Sequence, residues 1–325
     1  MFSYRTILKQ ALSLSWKNKY LWLLGLFASL TIAGGSIEYQ FITQSFSDGV
    51  LNSSYQGLAD LLGITTILKA LYLGLISLFS QNIIIILNSL SIILLALTLL
   101  AVFVWLAISS QAALVDAAKK LIIPKKKSEI ASLRATLTAG HNHFWPVLGL
   151  NILIRLLIST AFFISSLPLL FMVMSDSYVF IGIYTTLFVV FVPLAVSLSL
   201  IVKYAISYKV LEGETMIKSL EKGYALFRNN WLVSLETALI LFFITLFSSF
   251  FLLVAMAIVI LPIFITGLII GANWLAYLAI FIAISIIIIF GSFMTTFQIT
   301  SWTNLYLHLH DSKGLAKLER IFRKK

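Results

Sequence analysis

The chain has 325 residues, of which 60% are hydrophobic and 11% charged, with a mean hydropathy of +1.03 and no cysteine. Soluble domains carry roughly a quarter charged residues, so the composition excludes a water-soluble enzyme and places the chain in lipid. The absence of thiols excludes disulfides, thiolate nucleophiles and thiolate metal sites. The net charge of +11 points to nucleic acid or to an anionic membrane surface, and the positions of the charges decide between them.

About 20 apolar residues carry a helix across the hydrocarbon of a bilayer. In chain order, an amphipathic segment over 3–16 with Tyr4, Ile7, Leu8 and Ala11 as its stripe precedes a first span at about 20–35. Arg5, Lys9, Lys17 and Lys19 ahead of this span would suit a secretory leader, but no small-x-small cleavage site follows cleanly, so a retained span is expected. Residues 61–79 are predicted to lie on or dip into the outer face, with Lys69 snorkelling. A second span over 83–107 runs on as polar-studded helix from Ser109 to Lys120. Ser128 is a predicted N-cap for a second amphipathic segment, with Ile130, Leu133 and Leu137, and spans follow at 145–174 and 178–202. Lys203 to Glu212 again extends a span as polar helix. In 210–229 the apolar residues Met216, Ile217, Leu220, Tyr224 and Phe227 recur at helical spacing. The fifth span, 231–261, is predicted to end at Pro262, leaving Ile263 to Ala272 as a re-entrant or interfacial turn. The sixth, 274–300, extends from Trp302 to Asp311, and Leu315, Leu318, Ile321 and Phe322 form a stripe in the basic tail 312–325.

The expected fold is therefore all-α: a polytopic membrane helix bundle of six transmembrane helices in three hairpins, each preceded by a cytosolic interfacial helix lying in the inner leaflet. A single membrane domain covers 1–325, with repeat units of about 1–120, 121–208 and 209–311. Lys and Arg near span ends stay in the cytoplasm. With both termini inside, the inner segments hold 21 basic and seven acidic residues, net +14, and the outer segments one basic and four acidic, net −3. The basic excess thus states an orientation in a bacterial cytoplasmic membrane, and no nucleic-acid partner is expected because the bases sit at span ends and no recognition module is present.

A short signature recurs at the entrance of each odd-numbered span: Trp16-Lys17-Asn18-Lys19-Tyr20, Gly140-His141-Asn142-His143-Phe144 and Phe227-Arg228-Asn229-Asn230-Trp231. Its candidate residues are Lys17, Asn18, Tyr20, His141, Asn142, Phe144, Arg228, Asn229 and Trp231. The aromatic ring suits the headgroup level, the cation meets phosphate, and Asn caps backbone groups where the chain turns from surface to span.

The stretch Val210-Leu211-Glu212-Gly213, with Ser219-Leu220, Gly223-Tyr224, Phe227-Arg228 and Asn230-Trp231, resembles the membrane domain of bacterial glycerophosphoryl diester phosphodiesterases and its stand-alone relatives. Ser15-Trp16-Lys17-Asn18-Lys19-Tyr20-Leu21-Trp22-Leu23-Leu24-Gly25 is similar to the opening of many multi-pass membrane proteins. The resemblance implies a membrane domain without the catalytic barrel, whose His, Glu and Asp chemistry has no counterpart here. The longest non-spanning segment, 36–82, holds no His and only Glu38, Asp48 and Asp60.

Charges inside a span are functional candidates. Arg155 and Glu236 are expected to be buried there, with Lys203 as a second partner for Glu236. His141/His143 and His308/His310 form His-x-His pairs, but residues two apart on a helix diverge, so no metal and no cofactor is expected. Pro146, Pro168 and Pro193 are candidates for helix breaks around a transport cavity, Pro193 being the interior one. Lys125, Lys126 and Lys127, with Arg323 and Lys324, are expected to contact anionic lipid. With no nucleophile-base set or phosphate loop, the expected function is non-enzymatic: a lipid-engaging or accessory scaffold domain, with a membrane protein as a possible partner. The alternative is a transporter or permease subunit with a polar site near Arg155 and Glu236.

Overall fold

The computed structural model describes residues 4–29, 83–123, 133–175 and 179–311. Residues 30–35 of the first span, the 61–79 segment, Lys125 to Lys127 and the tail with Arg323 and Lys324 lie outside the described residues. Every described element is α-helical: α1 Tyr4–Lys17, α2 Tyr20–Ser29, α3 Ile83–Ile122, α4 Leu133–Asn142, α5 Phe144–Ser175, α6 Val179–Glu212, α7 Met216–Asn229, α8 Trp231–Ile269 and α9 Asn273–Asp311. Among the described residues, five stretches are long and apolar enough to cross a membrane: Leu90–Ile122, Phe144–Pro168, Val179–Glu212, Trp231–Ile269 and Asn273–His310. The chain is thus an all-helical bundle of multi-pass membrane character. The first predicted span is described as a shorter apolar helix, Tyr20–Ser29, of 10 residues.

The polar extensions predicted after the even-numbered spans are continuous with them, giving α3 40, α6 34 and α9 39 residues. At 1.5 Å per residue these helices are about 50–60 Å long, well beyond the roughly 30 Å of bilayer hydrocarbon.

Pro262 does not end its helix. α8 runs unbroken from Trp231 to Ile269 with Pro262 inside it, and the predicted turn over Ile263 to Ala272 shrinks to Ile270–Ala272. Stopping at Pro262 would strand several backbone groups in an apolar setting, whereas passing through it forfeits one N–H bond. The terminator is instead Gly271, at φ 74, in the left-handed region that glycine enters without steric cost. Pro168 and Pro193 likewise lie within α5 and α6 and break neither.

The chain divides into two compact units, one of residues 1–35, 106–154 and 198–325 and one of 36–105 and 155–197. In the second, every side chain from Leu90 to Trp105 is exposed, while Phe162, Phe188 and Phe191 pack ring on ring and Ser165 and Ser166 return their hydroxyls to the Phe162 and Phe163 carbonyls at 2.8 Å. In the first unit, Ile7, Tyr204, Tyr208, Val233, Leu305 and Tyr306 form one buried cluster and Ala11, Leu241, Met294 and Phe297 another. The usual polarity is inverted. Ser109, Ser110, Gln111, Ser207, Thr296, Thr300, Ser301, Thr303 and Asn304 are buried, whereas Leu239, Phe247, Phe250, Phe251, Ile258 and Ile269 are exposed. Small hydroxyls between close helices and apolar groups facing outward fit a chain surrounded by lipid.

Candidate functional site

Three short helices meet the polar ends of the long ones, each through a buried pair of small residues four apart. α4 buries Thr136 and Gly140, α7 buries Ser219 and Gly223, and α1 buries Ala11 and Ser15. Gly140 lies against the Ser109 carbonyl and Ala113 of α3, and Gly223 against the Ile201 carbonyl and Ala205 backbone of α6, where an added Cβ would sit 2.9 Å from each. Ala11 packs with Met294 and Phe297 of α9, and Asn304 of α9 donates its amide to the Ile7 carbonyl at 3.1 Å. Without a large side chain between them, two helices approach until backbones touch, and dispersion contacts accumulate along the seam. These pairs follow the small-x-x-x-small pattern, a signal present in the sequence but hidden among the apolar stripes.

The recurrent entrance signature marks a break between two helices each time. Asn18 directs both its backbone N–H, at 3.1 Å, and its side-chain amide, at 2.9 Å, to the Leu14 carbonyl. Asn230 makes the equivalent pair of bonds to the Leu226 carbonyl, at 3.1 and 3.2 Å. The capping residue of the third copy is therefore Asn230, and the predicted Asn229 is exposed one position earlier. Spacing to the aromatic misleads because Asn18 stands two residues before Tyr20 and Asn230 one before Trp231. In the second copy His143 occupies the turn, its N–H bonded to the Gly140 carbonyl at 3.1 Å, and Asn142 closes α4 exposed. Burial, and next to it Lys209, hold the His143 imidazole below its ordinary value of 6.5, with Asp116 opposing. Lys17, His141, Arg228 and Trp231 are exposed, and Tyr20 and Phe144 half-buried.

A polar cluster gathers where α6 and α9 end and α7 begins. The Tyr306 hydroxyl donates to Glu212, and His310 stands 3.6 Å from the same carboxylate. The His310 ring stacks on Tyr306 with centroids 5.7 Å apart and meets the Tyr208 ring edge-on at 5.8 Å. His308 turns to the Asn304 carbonyl, so this His-x-His pair diverges as its helical spacing requires. Lys222 lies 2.5 Å from Glu214 and 3.6 Å from Glu212. Lys119 donates to the Leu211 carbonyl at 3.0 Å, offsetting the negative end of α6 just before Gly213 at φ 72, and Lys209 donates to the Glu214 carbonyl beyond that glycine at 2.7 Å.

The Lys222 hydrogen bond holds Glu214 below its ordinary 4.5 and lifts Lys222 above its ordinary 10.5. A depressed acid contributes stability above its unfolded value and loses it as pH falls through the folded one. A raised base contributes below its unfolded value and loses it as pH rises through the folded one. Lys222→Gln is therefore expected to lower the neutral plateau of a Tm-against-pH profile in detergent slightly, as loss of a solvent-screened pair does, while the acid and alkaline ends stay where they are, so that both flanks flatten.

Of the two charges predicted within spans, Arg155 is exposed rather than buried. A long arginine arm carries its charge along an apolar surface toward water, so the position needs no buried partner. Glu236 is half-buried and accepts a bond from the Tyr4 hydroxyl, which ties α1 to α8. Lys203 sets its ammonium 4.8 Å over the Trp302 ring, which in turn meets Tyr204 edge-on at 6.3 Å. The Tyr204 and Ser234 hydroxyls are 2.6 Å apart, and Asn151 donates to Gln111 at 2.8 Å. No protein-family model, curated protein or solved structure matches this chain.

Proposed function

We propose that the chain is a non-enzymatic, multi-pass bacterial membrane domain that engages lipid or serves as an accessory scaffold, related to the membrane domain of glycerophosphoryl diester phosphodiesterases without their catalytic barrel. It crosses the cytoplasmic membrane six times, in three repeated hairpins, with both termini cytosolic. The observation that carries this is the threefold recurrence of one joint: a short helix seated through a small-residue pair on the polar end of a long helix, α4 on α3, α7 on α6 and α1 on α9. A scaffold fits better than a permease because large side chains fill the centre of this unit, Tyr204 and Tyr306 foremost, and because Glu236 is engaged by Tyr4.

A cysteine-free chain allows single-cysteine topology mapping. Asn273→Cys is expected to react with an impermeant maleimide on intact spheroplasts, and Thr215→Cys only after permeabilisation. The opposite pattern overturns the orientation. Mass spectrometry of lipids and metabolites retained in native-like discs is expected to find phospholipid, and enrichment of one soluble metabolite would favour transport instead.

A further inference from the structure

α1 carries large apolar side chains on both of its sides. Ile7, Ala11 and Ser15 are buried, while Arg5, Lys9, Leu12 and Trp16, at spacings of four, three and four, form an exposed stripe with Leu12 48% and Trp16 60% accessible. Ile7 joins the buried cluster, yet the larger apolar groups Leu12 and Trp16 face outward, so the outward side meets something other than water. Its chemistry is cationic as well as apolar, because α1 contains no acid and also carries Lys17.

Depth along the bundle sorts these residues. The Trp16 ring lies 5.7 Å from Phe293 and 5.8 Å from Trp22. Phe293 stands where α9 passes from the apolar run Ile286 to Phe290 into the hydroxyl-bearing stretch that starts at Ser292. At the other end of α1, the Ile7 carbonyl accepts from Asn304, eleven positions further along α9. Lys9 and Arg5 therefore stand about 10 and 16 Å beyond Trp16, at 1.5 Å per residue.

We infer, on the membrane reading proposed above, that the Arg5–Lys9–Leu12–Trp16 stripe is a docking face for anionic phospholipid. The Trp16 indole lies among the upper acyl chains, Leu12 stands at the edge of the hydrocarbon, and the Lys9 and Arg5 side chains, about 5 and 10 Å beyond Leu12, meet the headgroup phosphates. The stripe places lipid contact on a fixed helix edge, independent of the basic segments near Lys125 and Lys324.

Spin labels on the full chain in bilayer discs of 70% phosphatidylcholine and 30% phosphatidylglycerol test this. A label at Leu12→Cys is expected to collide with oxygen rather than with a water-soluble nickel chelate. The Arg5→Gln, Lys9→Gln double variant is expected to bind phosphatidylglycerol about thirty-fold more weakly by native mass spectrometry, at the usual contribution of a surface cation, while phosphatidylcholine retention stays unchanged. A label at Leu97→Cys, in the exposed apolar run of α3, is the reference. Water at Leu12→Cys with oxygen at Leu97→Cys, or an unchanged lipid preference in the double variant, overturns the docking face alone. Water at both labelled sites overturns the membrane reading itself.

Discussion

Gly25→Ala and Gly140→Ala are expected to lower the Tm of the detergent-purified protein by about 2–8 °C each, from an overpacking cost of about 1–3 kcal/mol. A Cβ on Gly25 would overlap the Ser292 carbonyl oxygen and the Thr296 hydroxyl, and one on Gly140 the Ser109 carbonyl oxygen. Backbone carbonyls cannot rotate aside as a flexible side chain would, so the helices must separate. Opposing this is the gain of about 1 kcal/mol when Ala replaces Gly inside a helix. Gly182 and Gly291 isolate that gain, because nothing lies within 4 Å of their Cβ positions. Gly182→Ala and Gly291→Ala are expected to leave Tm unchanged or raise it slightly. A drop at all four positions would mean that local flexibility, not close helix approach, requires these glycines.

Tyr204→Ala is expected to be the most damaging single truncation, costing about 3–5 kcal/mol. Tyr204 is 1% exposed and belongs to the cluster that joins α1, α6, α8 and α9. Its hydroxyl shares a 2.6 Å hydrogen bond with Ser234, which itself donates to the Asn230 carbonyl at 2.9 Å. Removing the ring opens a cavity at a junction of several helices, where no single movement closes it. Tyr204→Phe keeps the ring and loses only that bond, so a smaller loss of about 1–2 kcal/mol is expected. Thermal unfolding followed by fluorescence-detected size exclusion separates the two. Equal losses would assign the effect to the hydroxyl rather than to packing.

For the five long spans among the described residues, helix identity was legible from the sequence because apolar runs between charge clusters mark them. So were the polar continuations: a helix that has crossed lipid continues beyond it wherever its next residues still have a surface to cover, as Ser109 to Lys120 do. The end of α8 was not legible from Pro262, since proline stops helices chiefly where water solvates the freed carbonyls. Gly271, nine residues later, was the better marker. At the site, the break residue Asn18 fell where the signature placed it, while His143 took the turn in place of Asn142 and Asn230 displaced Asn229, because the cap obeys backbone geometry rather than distance to the aromatic. Arg155 illustrates a deeper limit. Hydropathy gives depth along a helix but not azimuth, so a charge in a span reads the same whether it faces a neighbour or the outside. The small-residue pairs were hidden for a similar reason, because Ala11, Thr136 and Ser219 have meaning only once the opposing helix is known.

The bond from Asn304 to the Ile7 carbonyl joins residues 297 positions apart, and this sets an order of assembly. At about 5–20 residues per second, translation finishes Asn304 roughly 15–60 s after Ile7. Throughout that interval the Ile7, Ala11 and Ser15 face of α1 has no α9 to cover it. The α3–α4 and α6–α7 joints, by contrast, form between neighbours in the chain and close as they emerge. Completion of this unit is therefore timed by its last helix, and a chain stalled before α9 displays an uncovered α1 that quality-control proteases can recognise as unfinished.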